Sequence, residues 1–94
     1  MTWGFVREVP INREQYNHLD RDLASDPEGL ILHTAAPKGD GMQIIDVWDS
    51  KEAYERFERE TLFPALERIG VPMKSPPPRH EFDVHKLRGR AAHS

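Results

Sequence analysis

The chain has 94 residues, 37% hydrophobic and 31% charged, with a net charge of −3 and no cysteine. That length allows one domain, the lack of cysteine excludes a disulfide framework or a thiolate metal site, and the charge balance gives no basic footprint for nucleic acid. No apolar run approaches the ~20 residues that span a bilayer, and MTWGFVREVP has no apolar signal-peptide core, so a cytoplasmic protein is expected.

Residues 2–9, TWGFVREV, favour a strand with Trp3, Phe5 and Arg7 on one face and Gly4, Val6 and Glu8 on the other. Arg7 is a lone charge among aromatic residues, placed to pair with an acid or to reach a cavity. Pro10 stops the strand. Asn12 is a good helix N-cap, with Gln15 completing a capping box and Ile11 and Tyr16 spaced for a hydrophobic staple. Tyr16, Leu19 and Leu23 mark the buried stripe of this helix, which SDPEG (25–29) ends.

Residues 30–36 and 42–49 are rich in β-formers, and KGDG (38–41) between them reads as the loop of a hairpin. Pro37 then faces Met42. On one face Ile31 meets Trp48, His33 meets Asp46 and Ala35 meets Ile44; on the other Leu32 meets Val47 and Thr34 meets Ile45. A slip of one residue would separate His33 from Asp46.

DSKEAYERFERE opens a second helix, with Asp49 or Ser50 as N-cap, Glu52 available for a capping box, and Glu52–Arg56 and Glu55–Arg59 as i,i+4 pairs. Ala53, Tyr54, Phe57, Leu62, Leu66 and Ile69 face inward. Pro64 should kink this helix or begin a separate final turn. Gly70 caps the helix and Pro72 prevents its resumption. SPPP (75–78) reads as extended chain leading to a last strand, HEFDVHKL (80–87). The domain is expected to span residues 1–88, with a disordered tail over 89–94.

The order strand, helix, strand, strand, helix, strand is βαββαβ. With right-handed crossovers it predicts an α+β, ferredoxin-like fold: a four-stranded antiparallel sheet with two helices on one face. Both hairpin faces are apolar, so the face without helices needs another cover, for which a second copy of the chain is the simplest. Trp48 precedes the second helix and should face the helices. That leaves Leu30, Leu32, Ile45 and Val47 as the expected dimer face.

The pattern resembles the dimeric α/β-barrel superfamily, and within it the antibiotic-biosynthesis-monooxygenase-like proteins. The likeness runs over residues 3–88. It is carried by VWDSKEAYERF, with its Trp-x-Ser-x-x-Ala-aromatic run from Trp48 to Tyr54, and by FPALERIG. It implies a barrel made of one sheet from each subunit, with a ligand cavity between each sheet and its helices. Activities implied at that level are cofactor-free oxygenation of polyketide-type phenols, lactone isomerisation, cyclisation and haem degradation. Cofactor-free oxygenases of this type match at Trp48, Tyr54 and Arg68, but place an Asn four residues before the Trp, where this chain has Ile44. Haem-degrading relatives carry an iron-binding His where this chain offers Phe57, Glu58 and Arg59.

His33 and Asp46 are the candidate catalytic pair. A carboxylate opposite an imidazole holds one tautomer and leaves the other nitrogen to abstract or deliver a proton; a self-satisfying polar pair is the plainer alternative. Trp48, Tyr54, Tyr16, Arg7 and Arg68 are the candidate ligand-binding residues, and each has a plainer role in the core or on the surface. His80 and His85 fall on opposite faces of the last strand, His18 and His93 look exposed, and no ligand pair such as H-x-x-x-H occurs, so no metal is expected. The expected protein is a homodimeric, cofactor-independent enzyme for a phenolic, quinone-like or polyketide-type metabolite. A non-catalytic ligand-binding dimer, or an interaction partner of a larger enzyme, is the alternative.

Overall fold

A computed structural model describes residues 2–71 and 74–89. The expected stop at Pro72 and most of the expected tail lie outside the described residues. The elements are β1 (Trp3–Val9), α1 (Arg13–Leu23), β2 (Leu30–Lys38), β3 (Gly41–Trp48), α2 (Lys51–Phe57), a π-helical turn (Glu58–Leu62), α3 (Phe63–Arg68) and β4 (Arg79–Asp83). The strands form one antiparallel sheet in the order β2-β3-β1-β4. Each helical segment thus connects strands that flank a third, which is the split βαβ arrangement of the ferredoxin-like fold.

β1 is central. Trp3, Phe5 and Arg7 are buried against the helices, while Gly4, Val6 and Glu8 point to the opposite face by alternation. Asn12 caps α1 with the full box: its side chain accepts from Gln15 N–H, and the Gln15 side chain accepts from Asn12 N–H, both at 2.8 Å. The helix ends at Ala24, which takes a left-handed φ of 63° and donates to the Asp20 carbonyl.

The β2–β3 register pairs His33 with Asp46, Thr34 with Ile45 and Ala35 with Ile44, as the hairpin pattern predicts. Two details differ. The strands continue to a Lys38–Gly41 pair, so Gly39 and Asp40 alone make the turn. A β-bulge lies between Leu30 and Leu32, so that Leu30, not Ile31, opposes Trp48. A bulge adds one residue to one strand and reverses the facing of everything beyond it. Leu30 therefore packs with Trp3, Phe5, Trp48 and Tyr54 on the helix side, and the expected dimer face loses it.

Ser50 caps α2 by accepting from Ala53 N–H at 3.1 Å. Glu52 then sits one residue too early to close a capping box, and Glu55 pairs with Arg79 of β4 rather than Arg59. The predicted disturbance at Pro64 takes the form of the π-turn, with Phe63 N–H bonded to the Glu58 carbonyl five residues back. Proline has no N–H to give, and its ring clashes with the carbonyl four residues before it in a regular helix, so a wider turn accommodates it. Gly70 (φ 84°) ends α3: its N–H meets the Glu67 carbonyl and Val71 N–H meets Leu66, the paired bonds of a Schellman cap. β4 is shorter than expected. Its partner β1 begins at Trp3, and among the described residues the last backbone bond at this end is Val84 N–H to the Thr2 carbonyl.

The core is two clusters. One gathers Ile11, Leu19, Met42, Ala65 and Leu66; the other gathers Trp3, Phe5, Trp48 and Tyr54. α1 packs chiefly on α3, and the space between helices and sheet stays open. Among the described residues no helix is long and apolar enough to cross a membrane.

Candidate active site

The space between sheet and helices is a cavity of about 300 Å³. Its floor comes from β1, β2 and β3 and its roof from α1, α2 and α3. Five of the six ligand-contact and catalytic candidates other than Trp48 (His33, Asp46, Tyr54, Tyr16 and Arg7) line it, and so does Trp48. Arg68 does not. It is 58% exposed at the end of α3 and pairs with Asp22 at 2.6 Å.

Asp46 is the anchor of the site. Its side chain shares the helix-side face with Trp48, two residues on, and is only 5% exposed. One carboxylate oxygen lies 2.6 Å from His33 Nδ1, and the other accepts from the Trp48 indole N–H at 3.0 Å. A carboxylate only accepts, so Nδ1 carries the hydrogen and the neutral ring is left with Nε2 as acceptor. That nitrogen is already engaged: Tyr16 Oη lies 2.6 Å away. The Tyr16 and His33 ring planes are within 9° of parallel, with centroids 6.0 Å apart. With Oη 2.6 Å from Nε2, the phenol occupies the hydrogen-bonding position of that nitrogen.

Charge follows from these contacts. The Asp46 hydrogen bond is the largest influence on His33 and raises its pKa above the ordinary 6.5, against burial, with Asp20 and Asp26 adding to the rise. Burial, then Asp20 and Asp46, raise the Tyr16 phenol above its ordinary value, so it keeps its proton at neutral pH. His33 itself is not deep; its side chain is 35% exposed at the edge of the cavity.

A second polar group stands on the same floor. Arg7 Nη1 donates to Tyr54 Oη and to Glu58 Oε2, each at 3.1 Å, and Tyr54 Oη donates to Glu58 at 2.6 Å. Tyr54 and Glu58 are one helical turn apart, which brings both over Arg7. Burial and the Glu58 bond drive the Tyr54 pKa far upward. Its hydroxyl is therefore committed to Glu58, and the ring alone is offered to the cavity. Arg7 is 8% exposed, and its Nε has no hydrogen-bond partner among the described residues. Arg79 stacks over Trp3 and Tyr54 and bonds Glu55 and Glu81, closing the cluster from β4.

Several lining residues escape a reading of the sequence. Pro76 and Pro77 of the SPPP segment lie against the cavity, as do Asp20 and residues 24–27 after α1. The segment's stiffness is visible in its composition, but its path is not. Ile44 lines the cavity one strand step from Asp46 on the same face. Ile44 is apolar; Arg7 is its cross-strand partner on β1, and Asp46 follows two residues later on the same face. His80 pairs with Val6 on the face away from the helices. Among the described residues no three His, Asp or Glu side chains converge as metal ligands.

The sequence matches no protein-family model and no curated protein. Solved structures do match. A protein from Chloroflexus aurantiacus with the provisional name antibiotic biosynthesis monooxygenase superposes with a TM-score of 0.68 at 20% identity, covering 95% of this chain and 98% of that one. SnoaB, a cofactor-independent oxygenase from Streptomyces nogalater, gives 0.63 at 18% identity over 92% and 95% of the two chains. A provisionally named antibiotic biosynthesis monooxygenase from Caulobacter crescentus gives 0.64 at 14% identity over 90% and 91%. At these identities the shared property is the ferredoxin-like fold, end to end.

Proposed function

We propose that the chain is a homodimeric, cofactor-independent enzyme that abstracts a proton from a phenolic, quinone-like or polyketide-type metabolite held between sheet and helices. The observation that carries this reading is His33 held at 2.6 Å by a buried carboxylate, at the edge of a mostly apolar cavity. His33 is the general base, Asp46 fixes its tautomer and stabilises the imidazolium, and Trp48 Nε1 keeps Asp46 in place. Trp48 and the Tyr54 ring form the aromatic wall, and Arg7 lines the floor beside them. Arg68 has no part in this reading. The fold shared with SnoaB supports oxygenation as one outcome of the resulting carbanion or phenolate. Isomerisation and cyclisation begin with the same proton abstraction. The sheet face away from the helices carries the part-exposed Val6, Leu32, Ile45 and Phe82 around a buried Val47, and among the described residues no helix covers it; a second copy is its cover.

One observation favours a second, non-catalytic ligand-binding dimer: both His33 nitrogens are satisfied within the chain. Turnover separates the two. Purified protein is offered a panel of polycyclic phenols without added metal or flavin, with an oxygen electrode and chromatography as readouts. Oxygen uptake identifies an oxygenase, and product without uptake an isomerase or cyclase. Turnover unchanged in His33→Ala, or none by the wild type, overturns the catalytic reading.

A further inference from the structure

His33 has one lone pair to act with, and Tyr16 holds it. We infer that Tyr16 is the catalytic residue that meets the ligand's acidic proton, and that it hands its own proton to His33; the inference rests on the reading of His33 as base. The hydroxyl lies 2.6 Å from Nε2, in hydrogen-bond contact, so Tyr16 blocks direct approach of a ligand to that nitrogen while it stays in place. Tyr16 stays because it is anchored from both sides. It packs on the cluster that contains Ile11, Leu19 and Leu66, and it stands on a helix fixed by a complete capping box. It also lines the cavity, and a phenolic oxygen that donates one hydrogen bond still has lone pairs to accept another.

The transfer balances without any other reactant. The ligand's X–H bond breaks and its proton joins Tyr16 Oη, while the original Oη–H bond breaks and that proton joins Nε2. Tyr16 ends as it began, the ligand is an anion, and His33 is a cation beside Asp46. The raised pKa of Tyr16 makes a free tyrosinate unfavourable, so the two transfers run together. The ligand class follows: an oxygen or carbon acid whose anion can sit against a tyrosine hydroxyl.

4-Nitrophenol tests this, because its anion is coloured and its ionisation is read by absorbance while bound. The wild-type protein is expected to lower the bound probe's apparent pKa by about one unit, through the imidazolium and tyrosine that stabilise the phenolate. Tyr16→Phe keeps the ring and its packing but breaks the relay, so binding persists and the shift disappears. His33→Gln also loses it. A shift that survives in Tyr16→Phe and vanishes in His33→Gln overturns the relay and leaves His33 as the direct base. A wild type that does not shift the probe, or a shift that survives both substitutions, overturns the base and the relay together.

Discussion

Asp46→Asn is the substitution that probes the site most fully without removing any heavy atom. The amide keeps one acceptor oxygen, so one of the two donors that Asp46 serves, His33 Nδ1–H at 2.6 Å or Trp48 Nε1–H at 3.0 Å, loses its partner. Trp48 is only 1% exposed and cannot turn its N–H to water. The charge that strengthened both bonds goes as well. Hydrogen bonds to charged groups contribute about 1.5–3 kcal/mol each, so a loss of about 2 kcal/mol is expected. For a domain of this size that is a fall in Tm of about 8–16 °C. The loss also depends on pH. The folded pKa of His33 is raised above the unfolded value of 6.5, chiefly by Asp46. The pair's contribution is therefore complete below the unfolded value and is lost as pH rises through the folded one. Denaturant unfolding at about pH 5.5 and about pH 9 should show a larger deficit for Asp46→Asn at the acidic pH. A deficit equal at both, or larger in alkali, would refute the assignment of Asp46 as the partner that holds His33.

Ile45→Asp places a charge in the open sheet face beside Val6 and Thr34. Size-exclusion with light scattering should report a dimer for the wild type and a monomer with intact circular dichroism for the variant. A wild-type monomer at micromolar concentration contradicts the dimer. Gly4→Ala tests packing behind Asp46. A Cβ there would lie 2.6 Å from the Asp46 carbonyl and 2.7 Å from the Phe82 ring. The ring can move but the central backbone cannot without shifting β3, so a loss of about 1–3 kcal/mol is expected in chemical denaturation; a neutral result would place β1 and β3 differently.

What was legible in the sequence follows from how local each signal is. The β2–β3 register could be read because KGDG marks the turn, and counting outward from it sets His33 opposite Asp46. The bulge could not. Leu30, Ile31 and Leu32 are all apolar, so alternation is silent there, and no glycine marks the extra residue. Alternation alone therefore puts Leu30 on the dimer face, whereas it stands on the other. Asn12 and Gln15 announce their capping box because the interaction spans three residues. The Tyr16–His33 contact joins α1 to β2 across the cavity, and only the tertiary crossing angle decides it. Arg7 could be recognised as a charge in need of an acid. That the acid is Glu58 depends on where the helix over β1 puts it. Arg68 matched a motif position, yet motif spacing carries no information about Asp22, which holds it at the surface.

The central claim is that His33, held by Asp46, is a base toward a ligand in the cavity. Its most direct measurement is hydrogen–deuterium exchange at the carbon beside the carbonyl of an aryl ketone such as α-tetralone, followed by NMR in D₂O. That proton abstraction is common to oxygenation, isomerisation and cyclisation. The wild type should accelerate exchange, the rate should climb as pH rises through the raised pKa of His33, and His33→Ala should lower it by about 100-fold or more. Exchange no faster than in buffer, or equally fast in His33→Ala, would contradict the claim.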